Sequence, residues 1–216
     1  MSVRVWRRAG LGVVLTAAVA AFGLPASASA PSPTHIPRGF LLHDADARKN
    51  ANPEFPWMVS NRRQDPLSVN PCETKLGPGY SGRTAVRTLT QPQPDGSISE
   101  ELLVYRNEAW ARRAVSQIRA DLARCPRLKV PDGVDQVYRA RTLRLGDHGM
   151  AIHVQSHRGA KAVDGGTHIV LVQRGNAIAL YSATAPFFTP TDDDSRNLPK
   201  AKRMAKKLCF YDGGCS

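Results

Sequence analysis

The sequence predicts an α+β domain with an antiparallel sheet, and three observations carry that expectation. Four strand-like segments follow one another with short links between Gln136 and Thr184. A hairpin-like pair precedes them at 83–106, and two amphipathic helical stretches, at 107–126 and 198–208, interrupt and close the run. Short links favour antiparallel neighbours, because a parallel pair needs a crossover of roughly a dozen residues or more. At 216 residues, with 42% hydrophobic and 22% charged, the chain is long enough for one core.

The N-terminus belongs to export, not to the fold. Arg4, Arg7 and Arg8 precede an apolar run from Ala9 to Leu24, and the small residues of PASASA follow, the pattern of a secretory signal peptide. The run is about sixteen residues, short of the roughly 20 that span a bilayer. Ala26-Ser27-Ala28 and Ala28-Ser29-Ala30 both have the small-x-small form, but the second puts Pro31 directly after the cut, so cleavage after Ala28 is expected. No Cys lies near that cut, so no lipid anchor on cysteine is expected. The domain plan is therefore a signal peptide at 1–28, an irregular lead-in at 29–82 and an α+β core at 83–216, with 29–216 forming one domain.

Removing 1–28 takes away three Arg and no acid, so the net charge falls from +12 to +9. Outside the cell, such a charge suits a polyanionic envelope polymer better than a specific nucleic acid. No stable membrane span is expected after cleavage.

The four cysteines, Cys72, Cys125, Cys209 and Cys215, are an even set in an exported chain, and they point to disulfides. Three pairings are open, and Cys72 with Cys125 and Cys209 with Cys215 is preferred. The last two frame CFYDGGC, whose Asp-Gly-Gly supplies a turn for a terminal staple. Zinc is not expected there, since no His and no second CxxC stand nearby.

In chain order, the lead-in is rich in Pro, Asn and Gly, with apolar anchors in GFLL, Phe55, Trp57 and Met58. RTAVRTLTQ and ISEELLVYR read as strands joined across PQPDGS. The helix that follows has Asn107 as its cap and Pro126 as its stop. Trp110, Ala114, Ile118, Leu122 and Cys125 fall in one arc, and Arg106, Arg112, Arg113, Arg119 and Arg124 in the opposite one. QVYRARTLRL, GMAIHVQSHR, THIVLVQ and NAIALYSAT are the four later strands, with RGN as the last tight turn. After APFFTPTDDDSRN, a closing helix puts Leu198, Ala201, Ala205 and Leu208 on one side and Lys200, Arg203, Lys206 and Lys207 on the other. Asp192 to Asp194 suit its N-terminal dipole.

Catalytic and metal chemistry find little footing. His153 and His157 share a strand face, but at 3.3 Å per residue they stand about 13 Å apart, too far to ligate one ion. Ser81 lies in GYSGR, where Arg83 replaces the final glycine of a nucleophile elbow. There is no Walker loop, no HExxH and no glycine-rich dinucleotide turn. Asp44, Asp46, Glu100 and Glu101 are scattered or adjacent and do not spell an acid and base pair. No catalytic residue, metal or cofactor is expected, and the chain is read as a non-enzyme.

IPRGFLL, Trp57, Cys72, the helix ending ADLARCP, the LGDHGMAI turn and the VQRGNAIAL hairpin occur in an order that resembles the PknH-like extracellular sensor domains of bacterial Ser/Thr kinases, over roughly residues 35 to 210. The resemblance implies a twisted antiparallel sheet flanked by helices, two disulfides and a cleft for an extracellular ligand, with no catalytic residues to carry over. Kinase catalytic motifs are not found in the sequence, so a free-standing secreted relative is expected. Trp57, Tyr181, Phe187 and Phe188 are the expected cleft residues, as aromatics near strand ends. The expected function is a secreted sensor-like domain that binds an unidentified ligand. The alternative is a basic protein that binds envelope polyanions, and a hydrolase is a third reading.

Overall fold

The computed structural model describes residues 33–130, 133–186 and 196–213. The expected signal peptide at 1–28, Phe187, Phe188, the acids at 192–194 and Cys215 lie outside the described residues.

Its centre is one eight-stranded antiparallel sheet in the order β1-β2-β3-β8-β7-β6-β5-β4. The strands are β1 (Met58–Ser60), β2 (Arg83–Gln93), β3 (Gly96–Tyr105), β4 (Arg127–Leu128), β5 (Asp135–Leu143), β6 (His148–Arg158), β7 (Lys161–Arg174) and β8 (Ala177–Ala185). The expected hairpin forms with Gln93 opposite Gly96, so the turn is Pro94-Asp95. β3 and β8 then join the two halves, with Glu100 opposite Tyr181 and Leu103 opposite Ile178. β7 starts six residues before the expected THIVLVQ, because Arg158 and Lys161 pair across a turn at Gly159 and Ala160.

The helices are α1 (Asp44–Lys49), α2 (Glu108–Arg124) and α3 (Leu198–Lys207), and a short 3-10 turn follows at Leu208–Tyr211. Asn107 caps α2 as expected, its Oδ1 accepting from the Trp110 N–H at 3.2 Å. The buried stripe of α2 is Ala111, Ala114, Val115, Ile118, Asp121 and Leu122. Trp110 and Cys125, expected on that stripe, sit at its half-exposed margin.

Helices lie on both faces of the sheet. Leu103, Tyr105, Ile169, Leu171, Ile178 and Leu180 form one core with α2 and with Leu67 and Val69 of the lead-in. Leu102, Val104, Val170, Val172, Ala179 and Tyr181 form the other with α3, Leu41 and Tyr211. Alternate residues of β3, β7 and β8 therefore enter different cores, which is why these segments read as continuous apolar runs rather than alternations. The expected α+β class and antiparallel sheet are observed, with the sheet the dominant element.

The lead-in is irregular for most of its length but adds α1 and the edge strand β1, neither of which was expected. Polar side chains reaching out of the sheet hold it. Arg83, 5% exposed, donates to the carbonyls of Gly79 (3.0 Å), Pro78 (3.1 Å), Asp65 (3.1 Å) and Arg63 (3.3 Å). Cys72 and Cys125 form the expected disulfide, which ties the lead-in to the end of α2. The other preferred pair includes Cys215 and so falls outside the described residues, and Cys209 is 7% exposed in the 3-10 turn.

At the last hairpin, Gly175 has φ +53, and a Cβ there would strike the Tyr211 carbonyl. Only glycine suits this backbone at so close an approach. The turn and the C-terminal segment are locked together as a result.

Candidate functional site

Two of the four expected cleft residues, Trp57 and Tyr181, are among the described residues. Tyr181 is corrected from cleft wall to core: it is 1% exposed, because its position in β8 points into the α3-side cluster. Its hydroxyl donates to Glu100 Oε1 at 2.5 Å. Burial, with the Glu100 charge beside it, holds that phenol far above its ordinary range. Phe187 and Phe188 lie outside the described residues. Trp57 is half-exposed, its ring stacked on His43 at 5.1 Å and its backbone N–H donating to Asn50 Oδ1 at 2.8 Å.

Three of the acids that looked scattered, Asp44, Glu100 and Glu101, are structural anchors. Glu100, 0% exposed, accepts from the N–H groups of Leu42 and His43, both at 2.8 Å, and so fixes the entry to α1. Asp44 accepts from the Leu41 N–H at 3.0 Å and from Arg87 at 2.9 and 2.6 Å. Glu101 points to the opposite face, where the Ser68 N–H donates to it at 3.1 Å. Desolvation raises the Glu101 pKa above its ordinary value, with the Ser68 hydrogen bonds and Arg83 opposing the rise. Adjacent in sequence, Glu100 and Glu101 thus each hold a different layer against the sheet. No periodic pattern marks such residues, and only their position mid-strand among apolar neighbours hinted at burial.

The histidines also find places. His153 and His168 are direct cross-strand partners, their rings 4.4 Å apart between centroids. Among the described residues no three His, Cys, Asp or Glu side chains converge as metal ligands.

What remains open is a groove between α1 and α3, about 440 Å³ in volume. Gly39, Leu41, Leu42 and Ala45 form its apolar part, and Arg48, Arg203, Lys206 and Lys207 supply four cations, with no carboxylate among the described residues of the lining. Its position follows from the fold: Glu100 draws the start of α1 onto the sheet, and the Ala201, Met204 and Ala205 stripe seats α3 on the same face. The basic side of α3, read from the sequence as a solvated face, becomes one wall, and Arg48 arrives from α1. Lys207 is held by the Phe40 carbonyl, with its Nζ 4.7 Å from the centre of the Phe40 ring. Arg48, Arg203 and Lys206 form no ion pair among the described residues. Clustered cations without counter-charges attract an anion, and two arginine forks suit an oxyanion's geometry.

A second groove, about 530 Å³, lies across β2 and is lined by Arg38, Arg63, Arg87 and Asn61. There Arg87 is already engaged by Asp44 at 2.6 Å. The α1–α3 groove is therefore the stronger candidate.

Sheet, layers and groove together define an α+β domain whose accessible features suit binding an anion. Among solved structures the chain is similar to the extracellular domain of PknH from Mycobacterium tuberculosis, at 14% identity and a TM-score of 0.47, over 78% of this chain and 90% of that one. No family model and no curated protein matches the sequence. No match places the chain in a family. Among the described residues no helix is long and apolar enough to cross a membrane.

Proposed function

We propose that the chain is an exported, non-catalytic binding domain of the cell envelope, a sensor-like module that holds an anionic ligand reversibly. The observation that carries this reading is the α1–α3 groove, where four cations meet at an opening with no carboxylate among the described lining residues. Supporting it, Glu100, Glu101 and Asp44 are committed to backbone and arginine partners, which suits a structural role better than acid and base work. The Cys72–Cys125 disulfide fits an oxidising compartment, and the signal-peptide pattern at 1–28 supplies the route to one. In this reading Cys209 pairs with Cys215 and closes the terminal staple.

The test is equilibrium binding of the exported chain to poly(glycerol phosphate), to polyglutamate and to neutral dextran across a salt series. Four neutralised charges give a log–log salt slope of about three for the anionic polymers, by analogy with nucleic-acid phosphates. Binding to dextran alone, or binding to the anionic polymers that does not respond to salt, overturns the reading.

A further inference from the structure

We infer that the α1–α3 groove docks the phosphate headgroup of an anionic phospholipid, with Phe210 resting at the lipid interface beside it. This rests on the reading above and narrows its ligand. Two features of the groove lead from an anion in general to a lipid.

The first is the poverty of neutral polar groups in the lining. Apart from its four cations, the groove presents only Gly39, Leu41, Leu42 and Ala45 among the described residues. A neutral sugar would find few side-chain hydrogen-bond partners there. A phosphate oxyanion would be met by the Arg48 and Arg203 guanidiniums and the Lys206 ammonium.

The second feature is the aromatic edge. Among the described residues Phe210 is one of the few large apolar side chains left exposed, at 38%, and its ring lies 5.8 Å from Phe40 and 5.1 Å from Tyr211 between centroids. Phe40 follows Gly39 of the lining and holds Lys207 against its ring. An exposed aromatic next to a basic cluster is the pairing that an interfacial surface needs, with the ring among the acyl ends of the headgroup region and the cations on the phosphates. A soluble phosphate polymer would engage the cations and leave Phe210 idle.

The test is co-flotation of the full exported chain with phosphatidylglycerol/phosphatidylcholine vesicles, against phosphatidylcholine alone, with soluble glycerol phosphate as competitor. R203A/K206A removes two exposed cations without breaking an ion pair described above, and F210S removes the apolar contact. R106A/R119A removes two exposed cations, one just before the α2 cap and one on α2, as a charge-matched control. Binding requires phosphatidylglycerol, and R203A/K206A weakens it about thirty-fold, at about 1 kcal/mol per basic residue near an anionic surface. F210S weakens it about fivefold, and R106A/R119A leaves it unchanged.

Equal losses in the groove and control variants overturn the groove as the site, while the polyanion reading stands. A groove-specific loss with no F210S effect, together with full displacement by glycerol phosphate, overturns the lipid as source and leaves a free phosphate group as ligand. No vesicle binding alongside salt-sensitive polymer binding overturns this inference alone. Failure of both takes the broader reading with it.

Discussion

Replacing both Cys72 and Cys125 by alanine tests how the lead-in is held, and its size follows from the connectivity. The two residues are 53 positions apart, so the bond closes a long loop in the unfolded chain. On the loop-entropy relation, losing that closure costs about 4 kcal/mol of stability at 25 °C. With an m-value of about 2 kcal/mol/M, the urea midpoint falls by about 2 M. By the size scaling of thermal unfolding, Tm falls by roughly 8–16 °C. Because the effect acts through the unfolded chain, m rises in the variant as the released segment exposes more surface. Urea unfolding followed by tryptophan fluorescence reads both quantities. A loss below about 1 kcal/mol with unchanged m would refute the reasoning, since the bond would then be constraining nothing that native contacts do not already hold.

Three further outcomes follow from the buried polar groups. Arg83→Met strands four loop carbonyls and leaves Glu101 without its nearby cation, so stability falls by about 3 kcal/mol or more, and proteolysis begins within 61–82. Tyr181→Phe removes the hydroxyl that donates to the buried Glu100, costing about 1–3 kcal/mol in the same unfolding assay. Glu101 has a raised pKa in the folded state, so the folded chain binds its proton more tightly than the unfolded one; the associated stability is full below the ordinary value of 4.5 and lost as pH rises toward the folded value. The stability of Glu101→Gln relative to the wild type therefore improves from pH 4.5 upward, and a difference that stays constant with pH would contradict the shift.

Much of the sheet was legible because its strands are long and bounded by turn residues. The Pro94-Asp95 turn and the Gly175 turn lie where Pro, Asp and Gly cluster, and α2 carries both a cap and a stop. The layer arrangement was not legible in the same way. Runs such as HIVLV and AIALY show no alternation because both of their faces are buried, and periodicity does not reveal that a helix covers each side. α1 has six residues and β1 three, and both depend on distant partners: Glu100 fixes the start of α1, and β2 supplies the ladder for β1. Local propensity is too weak to mark elements of that length.

The site divides along the same line. Arg203, Lys206 and Lys207 could be read as one side of α3 from helical spacing alone. Arg48 could not be added to them, because its place depends on the Glu100 contacts that dock α1, some fifty residues distant in sequence. Tyr181 was misread for a related reason. Its position near the end of a strand suggested a rim, but β8 is the central partner of β3 and carries the ring into the core.

The central claim is that the α1–α3 groove is where an anionic ligand binds. Backbone amide NMR during titration with poly(glycerol phosphate) tests it most directly. The account predicts shifts concentrated at Gly39 to Arg48 and at Arg203 to Phe210, fading as salt is added. Shifts confined to the arginine side of α2, or spread evenly over the surface, would contradict it.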